Sequence, residues 1–409
     1  MLKNKILMKL DKNTVIIFAT YTLADPTTRN TIESVSKFYD RVVVVDHNPG
    51  TAYRPLNAKG LIIESISDLK SLPRLGGLKN LFKWWVYSSS CRRILNKYRP
   101  GLVITFMLRP LAAIKPAKGQ TMISCIYDIP DPETAGKIDR GINKAGFRNL
   151  SAAALVWASD SYKAALAKDF GKLDKMPLVC HNSPARDGGN LYKAADRLWL
   201  REKLMLAGAP VSESKGIIMV RAGAIGPYGG IEETLEAMKQ LPDDYIFLMM
   251  GRPGEDYKAQ LNRLISDEGL EQRAIFWDRP TDDEWQKAIN GADIGHLLHL
   301  APPAGTIAAG LYRYNSSLSN YRLFTYMAAG LPIFSYNDPR LDALHKEVNC
   351  FCVLDVTRLR DEIIHAWQRI SNDSVLRTRM AQAARDAYEH TYNWEVQFRE
   401  VRKYIEKLQ

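Results

Sequence analysis

Short apolar runs recur along the whole chain, separated by stretches of helical periodicity. Runs such as Val42-Val43-Val44-Val45 and Ile246-Phe247-Leu248-Met249-Met250 are apolar on both faces. That is the pattern of parallel strands covered by helices on both sides of a sheet. Strands are predicted at 15–19, 42–46, 61–64, 102–106, 122–126, 154–157 and 178–180. A second set is predicted at 217–220, 245–249, 274–277, 294–300, 333–336 and 351–354. Strands alternating with helices imply doubly wound α/β sheets. Residues 183–214 break the alternation with Ser183-Pro184, Gly188-Gly189 and a charged helical stretch around 192–206, and read as the connection between two halves. At the end of the chain Trp394, Phe398, Val401, Ile405 and Leu408 fall on one helical stripe.

The length of 409 residues accommodates two domains. Composition, 46% hydrophobic and 25% charged, is that of a globular protein. No apolar run approaches the ~20 residues that span a bilayer. Residues 1–10 alternate Lys with apolar positions, too charged for a signal peptide, so a cytoplasmic protein is expected. The five cysteines (Cys91, Cys125, Cys180, Cys350, Cys352) are scattered and read as buried reduced thiols, without metal-ligand spacing. The net charge of +11 is uneven: residues 1–200 hold 31 Lys+Arg against 16 Asp+Glu, and the remainder 25 against 29. A basic first half suits an anionic membrane, an anionic glycolipid or nucleic acid. The last rests on charge alone, and no nucleic-acid partner is expected.

Two segments of the second half carry chemistry. The run Asn320-Tyr-Arg-Leu-Phe-Thr-Tyr-Met-Ala-Ala-Gly-Leu-Pro332 reads as an amphipathic helix stopped by Gly330 and Pro332, leading into strand 333–336. Val220-Arg-Ala-Gly-Ala-Ile-Gly-Pro-Tyr-Gly-Gly-Ile-Glu-Glu233 places a glycine-rich turn between a strand and a helix. Backbone N–H groups exposed there suit a diphosphate. Together these segments resemble GT-B glycosyltransferases, above all family 4, whose donor helix reads N-K-x-[FL]-E-Y-M-A-A-G-[LK]-P. The resemblance implies a GT-B fold, with two doubly wound Rossmann-like domains facing a central cleft. It implies an acceptor-binding domain at 1–185, a linker at 186–213, a nucleotide-sugar domain at 214–385, and a last helix, 386–409, crossing back to the first domain. The implied activity is sugar transfer from a UDP- or GDP-sugar to a glycan or glycolipid acceptor, with no cofactor.

On the donor side the resemblance points to Gly223, Ala224 and Ile225 in the turn and to Arg252 after the strand 245–249. It adds Arg279 in Phe276-Trp-Asp-Arg-Pro280, Tyr314 in the loop 301–319, and Asn320, Arg322, Leu323 and Thr325 on the helix. This chain departs from the family in several places. Ala224 and Gly229 stand where the family carries two cations, leaving Arg221, Arg252 or Arg322 to replace them. Arg322 occupies the family's Lys position and can meet phosphate oxygens bidentately. Thr325 stands in place of the Glu that holds ribose, and no acid occurs between Asp293 and Asp338.

The first half carries Asp25-Pro26, an N-cap and first helical residue, in a stretch similar to the family's D-P-R-V-R-x-E. Tyr127-Asp-Ile-Pro-Asp-Pro132 stands at the family's Y-D-x-H-E without its His, and Ile104 and Phe106 fill the histidine positions of its V-H-A-H run. A base for the acceptor hydroxyl is then sought in Asp131, Asp128 and Asp25. The stretch 78–99 predicts a helix with Lys79, Lys83, Arg93 and Lys97 on one stripe and Leu78, Leu81, Phe82 and Trp85 on another. Such a helix fits an anionic membrane surface, which would place the protein peripherally on the inner face of the plasma membrane; the resemblance, in whose family lipid-linked acceptors are common, implies a role in cell-surface polysaccharide synthesis. The missing acids, cations and histidines also fit a catalytically silent GT-B binding or scaffold protein.

Overall fold

The computed structural model describes residues 10–19, 25–46, 56, 58–66, 79–130, 136–186, 194–213, 215–278, 280–304, 306, 309, 312 and 320–409. They form two compact units. The first holds the chain up to Asn182 together with Gln397–Gln409; the second holds Ser183–Ala304 and Ser316–Val396.

The first unit is built on a parallel sheet of β1 (Asp11–Phe18), β2 (Arg41–Asp46), β3 (Leu61–Ser65), β4 (Pro100–Phe106), β5 (Thr121–Ile126), β6 (Leu155–Ala158) and β7 (Leu178–Val179), in the order β3-β2-β1-β4-β5-β6-β7. The second has β8 (Ile217–Ala222), β9 (Tyr245–Met250), β10 (Ala274–Trp277), β11 (Ile294–His296), β12 (Ile333–Tyr336) and β13 (Phe351–Leu354), in the order β10-β9-β8-β11-β12-β13. Every ladder is parallel. In each sheet the strand order reverses beside the first strand, between β1 and β4 and between β8 and β11. Right-handed crossovers on either side of a reversal lay helices on both faces and leave a crevice at the strands' C-terminal ends. The doubly apolar runs are interior strands, β2 and β9: Val42–Val45 and Ile246–Met250 are buried along their length.

Each predicted apolar run contains a strand. The run 294–300 forms only the short β11, because its continuation leaves the sheet: Leu300 N–H bonds Tyr228 O at 2.6 Å, and Leu298 packs under Gly230. The helical part of the 183–214 connection is the Ala194–Leu206 helix. Its Leu200 and Leu204 belong to the second unit's core, where it packs on the Asp282–Gly291 helix.

The terminal helix is interrupted, as Trp394–Gln397 and then Arg399–Glu406. Its stripe survives the break, since Trp394, Phe398, Val401 and Ile405 are all buried. Phe398 meets Trp157 of β6 edge-on at 6.0 Å and Arg402 lies over Phe38 at 5.4 Å, so the last helix packs on the first unit. All five cysteines are free and buried, and burial pushes the Cys91 thiol up to about 12. No helix among the described residues is long and apolar enough to cross a membrane.

Candidate functional site

In the second unit, β8 and β9 end side by side in tight glycine turns. Gly223 has φ +106° and Gly251 φ +148°. A Cβ on Gly251 would lie 1.9 Å from Gly223 O, so the two backbones touch there and only glycine fits. Ile225 is buried over Gly251, and Ala224 is exposed. The turn then runs to Gly230, left-handed at φ +67°, which caps the Ile231–Met238 helix.

Arg221, 4% exposed at the end of β8, holds this turn from beneath. Its Nη1 donates to Gly229 O at 2.9 Å and Leu298 O at 3.0 Å, and meets His296 Nδ1 at 3.1 Å. Thr234 Oγ1 donates to Gly230 O at 2.6 Å and lies 3.1 Å from His296 Nε2. Because the threonine proton is already used, we assign the imidazole hydrogen to Nε2, leaving Nδ1 to accept from Arg221. Burial, and then Arg221, hold His296 well below the usual histidine range, in keeping with a neutral ring. The bonds run one way, from Arg221 through His296 and Thr234 to Gly230 O.

The Tyr321–Ala329 helix joins the turn through Tyr326. Its ring lies flat on Gly295 of β11, where an added Cβ would stand 2.5 Å from Cδ2. Its hydroxyl accepts from Ala222 N at 2.9 Å and donates to Val220 O at 3.0 Å. Asn320 caps the helix by accepting from Arg322 N at 3.1 Å. Arg322 is half-buried, yet its Nε and Nη1 are fully buried and have no hydrogen-bond partner among the described residues. Burial pulls its guanidinium down, and Tyr326 and Tyr336 are the groups that act against this. Burial and then the charge on Arg322 bring Arg221 down to about 9; the same two causes bring His299 to about 4. Two guanidiniums and two neutral histidines thus share one buried, electropositive region.

The other predicted donor residues divide. Arg252 is exposed just beyond Gly251. Leu323 faces the core, and its N–H bonds Asn320 O at 3.0 Å. Thr325 is 2% exposed and its hydroxyl donates to Tyr321 O at 2.9 Å, so only its lone pairs remain. Trp277 stacks on Trp199 at 5.8 Å, which covers one face of that ring. Arg279 and Tyr314 lie outside the described residues.

In the first unit Asp25, Tyr127 and Asp128 meet at the C-terminal ends of β1 and β5. Asp25 Oδ2 accepts from Thr28 N and Thr28 Oγ1, both at 2.7 Å, and Oδ1 accepts from Tyr127 Oη at 2.8 Å. Burial raises its carboxyl, against these three bonds. Asp128, whose side chain is 37% exposed, lies 3.4 Å from Lys163 Nζ. Lys163 is wholly buried; it also donates to Tyr127 O and lies 3.9 Å from Asp160 Oδ2. Burial lowers it, and Asp128 and Asp160 oppose that. Asp131 lies outside the described residues. Ile104 and Phe106 are core residues, Phe106 meeting Tyr127 edge-on at 6.5 Å.

The predicted basic helix forms as Lys79–Tyr98. Tyr87, Cys91, Ile94 and Leu95 are buried, whereas Leu81, Phe82 and Trp85 are exposed by 49%, 37% and 63%. Phe82 and Trp85 stack at 5.9 Å on that outer face.

Sequence reasoning missed Lys163, His296 and the bridging Tyr326. His296 and His299 sit in a leucine-rich run that reads as plain strand, and Lys163 sits among alanines that read as plain helix.

Among solved structures the chain is similar to sucrose-phosphate synthase from Thermosynechococcus elongatus, at 13% identity and TM-score 0.70, covering 97% of this chain and 98% of that one. It is similar to HepE from Anabaena in complex with UDP, at 15% identity and TM-score 0.66, covering 97% and 100%. It is also similar to WaaG, a glycosyltransferase involved in lipopolysaccharide biosynthesis, at 14% identity and TM-score 0.64, covering 96% and 99%. No family model and no curated protein sequence matches. These likenesses over nearly the whole chain show the fold: the protein has the GT-B fold, with two doubly wound parallel sheets.

Proposed function

We propose that the protein is a glycosyltransferase that moves a sugar from a UDP- or GDP-sugar to an acceptor glycan, lipid-linked, in cell-surface polysaccharide synthesis. The observation that carries this reading is Arg322. It is a cation with two buried nitrogens that have no partner among the described residues, next to a second buried guanidinium, at the foot of a glycine turn. Buried charges without a counter-ion are unfavourable unless a ligand supplies one. A nucleoside diphosphate supplies two negative phosphates, and the similar structure of HepE is a complex with UDP, which supports a ligand of that class.

In this reading the second unit binds the donor. Arg322, Arg221 and the amides of Ala224 and Ile225 take up charge as the bond from the anomeric carbon to the diphosphate breaks, while Gly223, whose N–H bonds Met250 O at 2.9 Å, shapes the turn. Arg252, Arg279, Tyr314 and Asn320 border the nucleotide, while Leu323 and Thr325 support the helix. The first unit binds the acceptor. Asp128, the more exposed carboxylate, takes the hydroxyl proton as the acceptor oxygen bonds the anomeric carbon; Asp131 is the alternative base, and Asp25 positions Tyr127. The outer face of the Lys79–Tyr98 helix, with Leu81, Phe82 and Trp85, rests on anionic lipid.

A silent GT-B binding protein is the rival reading. It draws on Asp25 being committed to three hydrogen bonds and Asp128 being paired with Lys163. Calorimetric titration with UDP, GDP and a panel of their sugars, followed by donor-hydrolysis and transfer assays, separates the readings. Binding with turnover supports the enzyme. Binding without turnover on any acceptor supports the rival, and failure of every nucleotide to bind removes both donor-site readings.

A further inference from the structure

A cavity of about 250 Å³ lies in the first unit, and its lining includes none of Asp25, Tyr127 and Asp128. It is lined by Asn80, Lys83, Trp84 and Tyr87 of the Lys79–Tyr98 helix, by Arg109 of the Leu108–Ala113 helix and by Asp139 of the Lys137–Leu150 helix. These helices follow β3, β4 and β5 and contribute their N-terminal parts. The cavity therefore sits at the C-terminal edge of the sheet, where doubly wound folds take their ligands. Nothing in the donor chemistry above uses it.

Its lining is unlike a plain anion site. Trp84 and Tyr87 stack at 5.7 Å and present an aromatic wall. Arg109 Nη2 and Asp139 Oδ1 form an open pair at 2.9 Å, both partly in solvent. Lys83 is half-buried, and no carboxylate among the described residues pairs with it. The cavity thus holds two cations and one carboxylate against an aromatic surface, with the amide of Asn80 at the edge.

We infer that this cavity receives one saccharide unit bearing a phosphate or carboxylate group, the anionic part of the acceptor; this rests on the reading of the first unit as the acceptor side. The volume lies below the roughly 300 Å³ where drug-sized sites begin, so one ring is the appropriate size. A pyranose has an apolar C–H face for Trp84 and hydroxyls that donate to Asp139 and accept from Asn80. Its acidic group neutralises Lys83 and draws on Arg109. Bare phosphate would leave the aromatic wall unused and meet the Asp139 charge. A neutral sugar would leave Lys83 without a counter-ion. The exposed Leu81, Phe82 and Trp85 alternate along the same helix with Asn80, Lys83 and Trp84. A lipid-borne headgroup would therefore find its pocket beside the face that meets the bilayer.

Ligand-observed NMR on the full chain tests this with glucose 6-phosphate and glucuronate as probes, and glucose and inorganic phosphate as controls. Both charged sugars bind, each control binds at least about tenfold more weakly, Lys83→Gln weakens the charged sugars about tenfold, and Lys83→Arg restores them. Equal binding of glucose or of phosphate, or no effect of Lys83→Gln, overturns the inference. Two vesicle arms distinguish the sources of the sugar. If glucose 6-phosphate releases the protein from vesicles bearing an acidic glycolipid but not from phosphatidylglycerol vesicles, the headgroup is lipid-borne. If it releases neither while still binding, the saccharide is soluble. UDP and GDP titrations run in parallel. Binding of either nucleotide without charged-sugar binding removes the pocket alone. Charged-sugar binding without binding of either nucleotide removes the glycosyl-transfer reading and leaves a saccharide pocket.

Discussion

Arg322→Met is the most informative single change, because its effect on the free protein should be small and its effect on the bound protein large. Methionine keeps most of the apolar stem and removes the guanidinium. In the free protein Nε and Nη1 are buried without acceptors among the described residues, and each such donor is a liability of about 1–3 kcal/mol. Lost packing offsets part of that gain. The variant should therefore be no more than about 1 kcal/mol less stable than the parent, where a typical buried substitution costs about 1–3 kcal/mol. With diphosphate bound, the same nitrogens would make charge-assisted bonds of about 1.5–3 kcal/mol each. Losing them weakens UDP by at least about 100-fold, or about 2.7 kcal/mol. Urea unfolding with and without UDP reads both effects. At a UDP concentration about 100 times the parent's Kd the parent gains about 2.7 kcal/mol. At that concentration the variant, its Kd now equal to it, gains only about 0.4 kcal/mol. A variant that loses more than about 2 kcal/mol when free and keeps the full UDP increment would refute the reasoning, since Arg322 would then be structural.

Further expectations follow from other parts of the fold. Tyr326→Phe leaves Ala222 N–H and Val220 O without their shared hydroxyl and should cost about 1–3 kcal/mol in urea unfolding. Asp128→Asn should lower kcat at least about 100-fold with UDP affinity unchanged, while Asp25→Ala, which strips a helix cap and the partner of Tyr127, should cost at least about 2 kcal/mol of stability. His296 and His299 both titrate below the usual range when folded. Below about pH 6.5 the unfolded chain binds protons that the folded one does not, so stability falls with falling pH, by up to about 1.4 kcal/mol per pH unit per histidine until the folded group titrates, near 4 for His299; urea midpoints from pH 7 to pH 5 check the sign, and His296→Asn with His299→Asn flattens it. Trp85→Glu should reduce retention on phosphatidylglycerol vesicles at low salt without changing the urea midpoint, because Trp85 is 63% exposed.

The strands were legible because parallel sheets bury both faces, and runs such as 42–45 and 246–250 have no competing explanation. The Tyr321–Ala329 helix was legible from its stop: Gly330 is left-handed at φ +67°, as a glycine before Leu331-Pro332 suggests. Side-chain roles were less legible where one residue serves packing and chemistry together. Thr325 occupies an expected ligand position, yet its hydroxyl satisfies its own helix through Tyr321 O. His296 is invisible in a leucine-rich run, because periodicity records burial and not the hydrogen bond that makes a buried imidazole tolerable. The last helix was read as continuous from its stripe. A spacing of 4 and 3 also survives a break at Phe398, so the pattern could report the packing of Phe398 on Trp157 but not the interruption.

The departure at Gly229 and the place of Arg221 explain one another. The family that the sequence resembles carries a cation at the position of Gly229. Here a Cβ at 229 would lie 2.7 Å from Arg221 Nη2 and 3.0 Å from Arg221 Cζ. A lysine there would press its stem against the guanidinium and add a further cation to a region that already holds Arg221 and Arg322, so both sterics and charge oppose it. Arg221 reaches the turn from β8, bonds Gly229 O, and needs glycine above it. Positive charge is therefore present at this turn, supplied from the strand beneath, where His296 and Leu298 O fix it. A missing cation read from sequence alone argues for lost function. A locked cation on the strand beneath removes that argument and is consistent with the proposed anion binding at this turn.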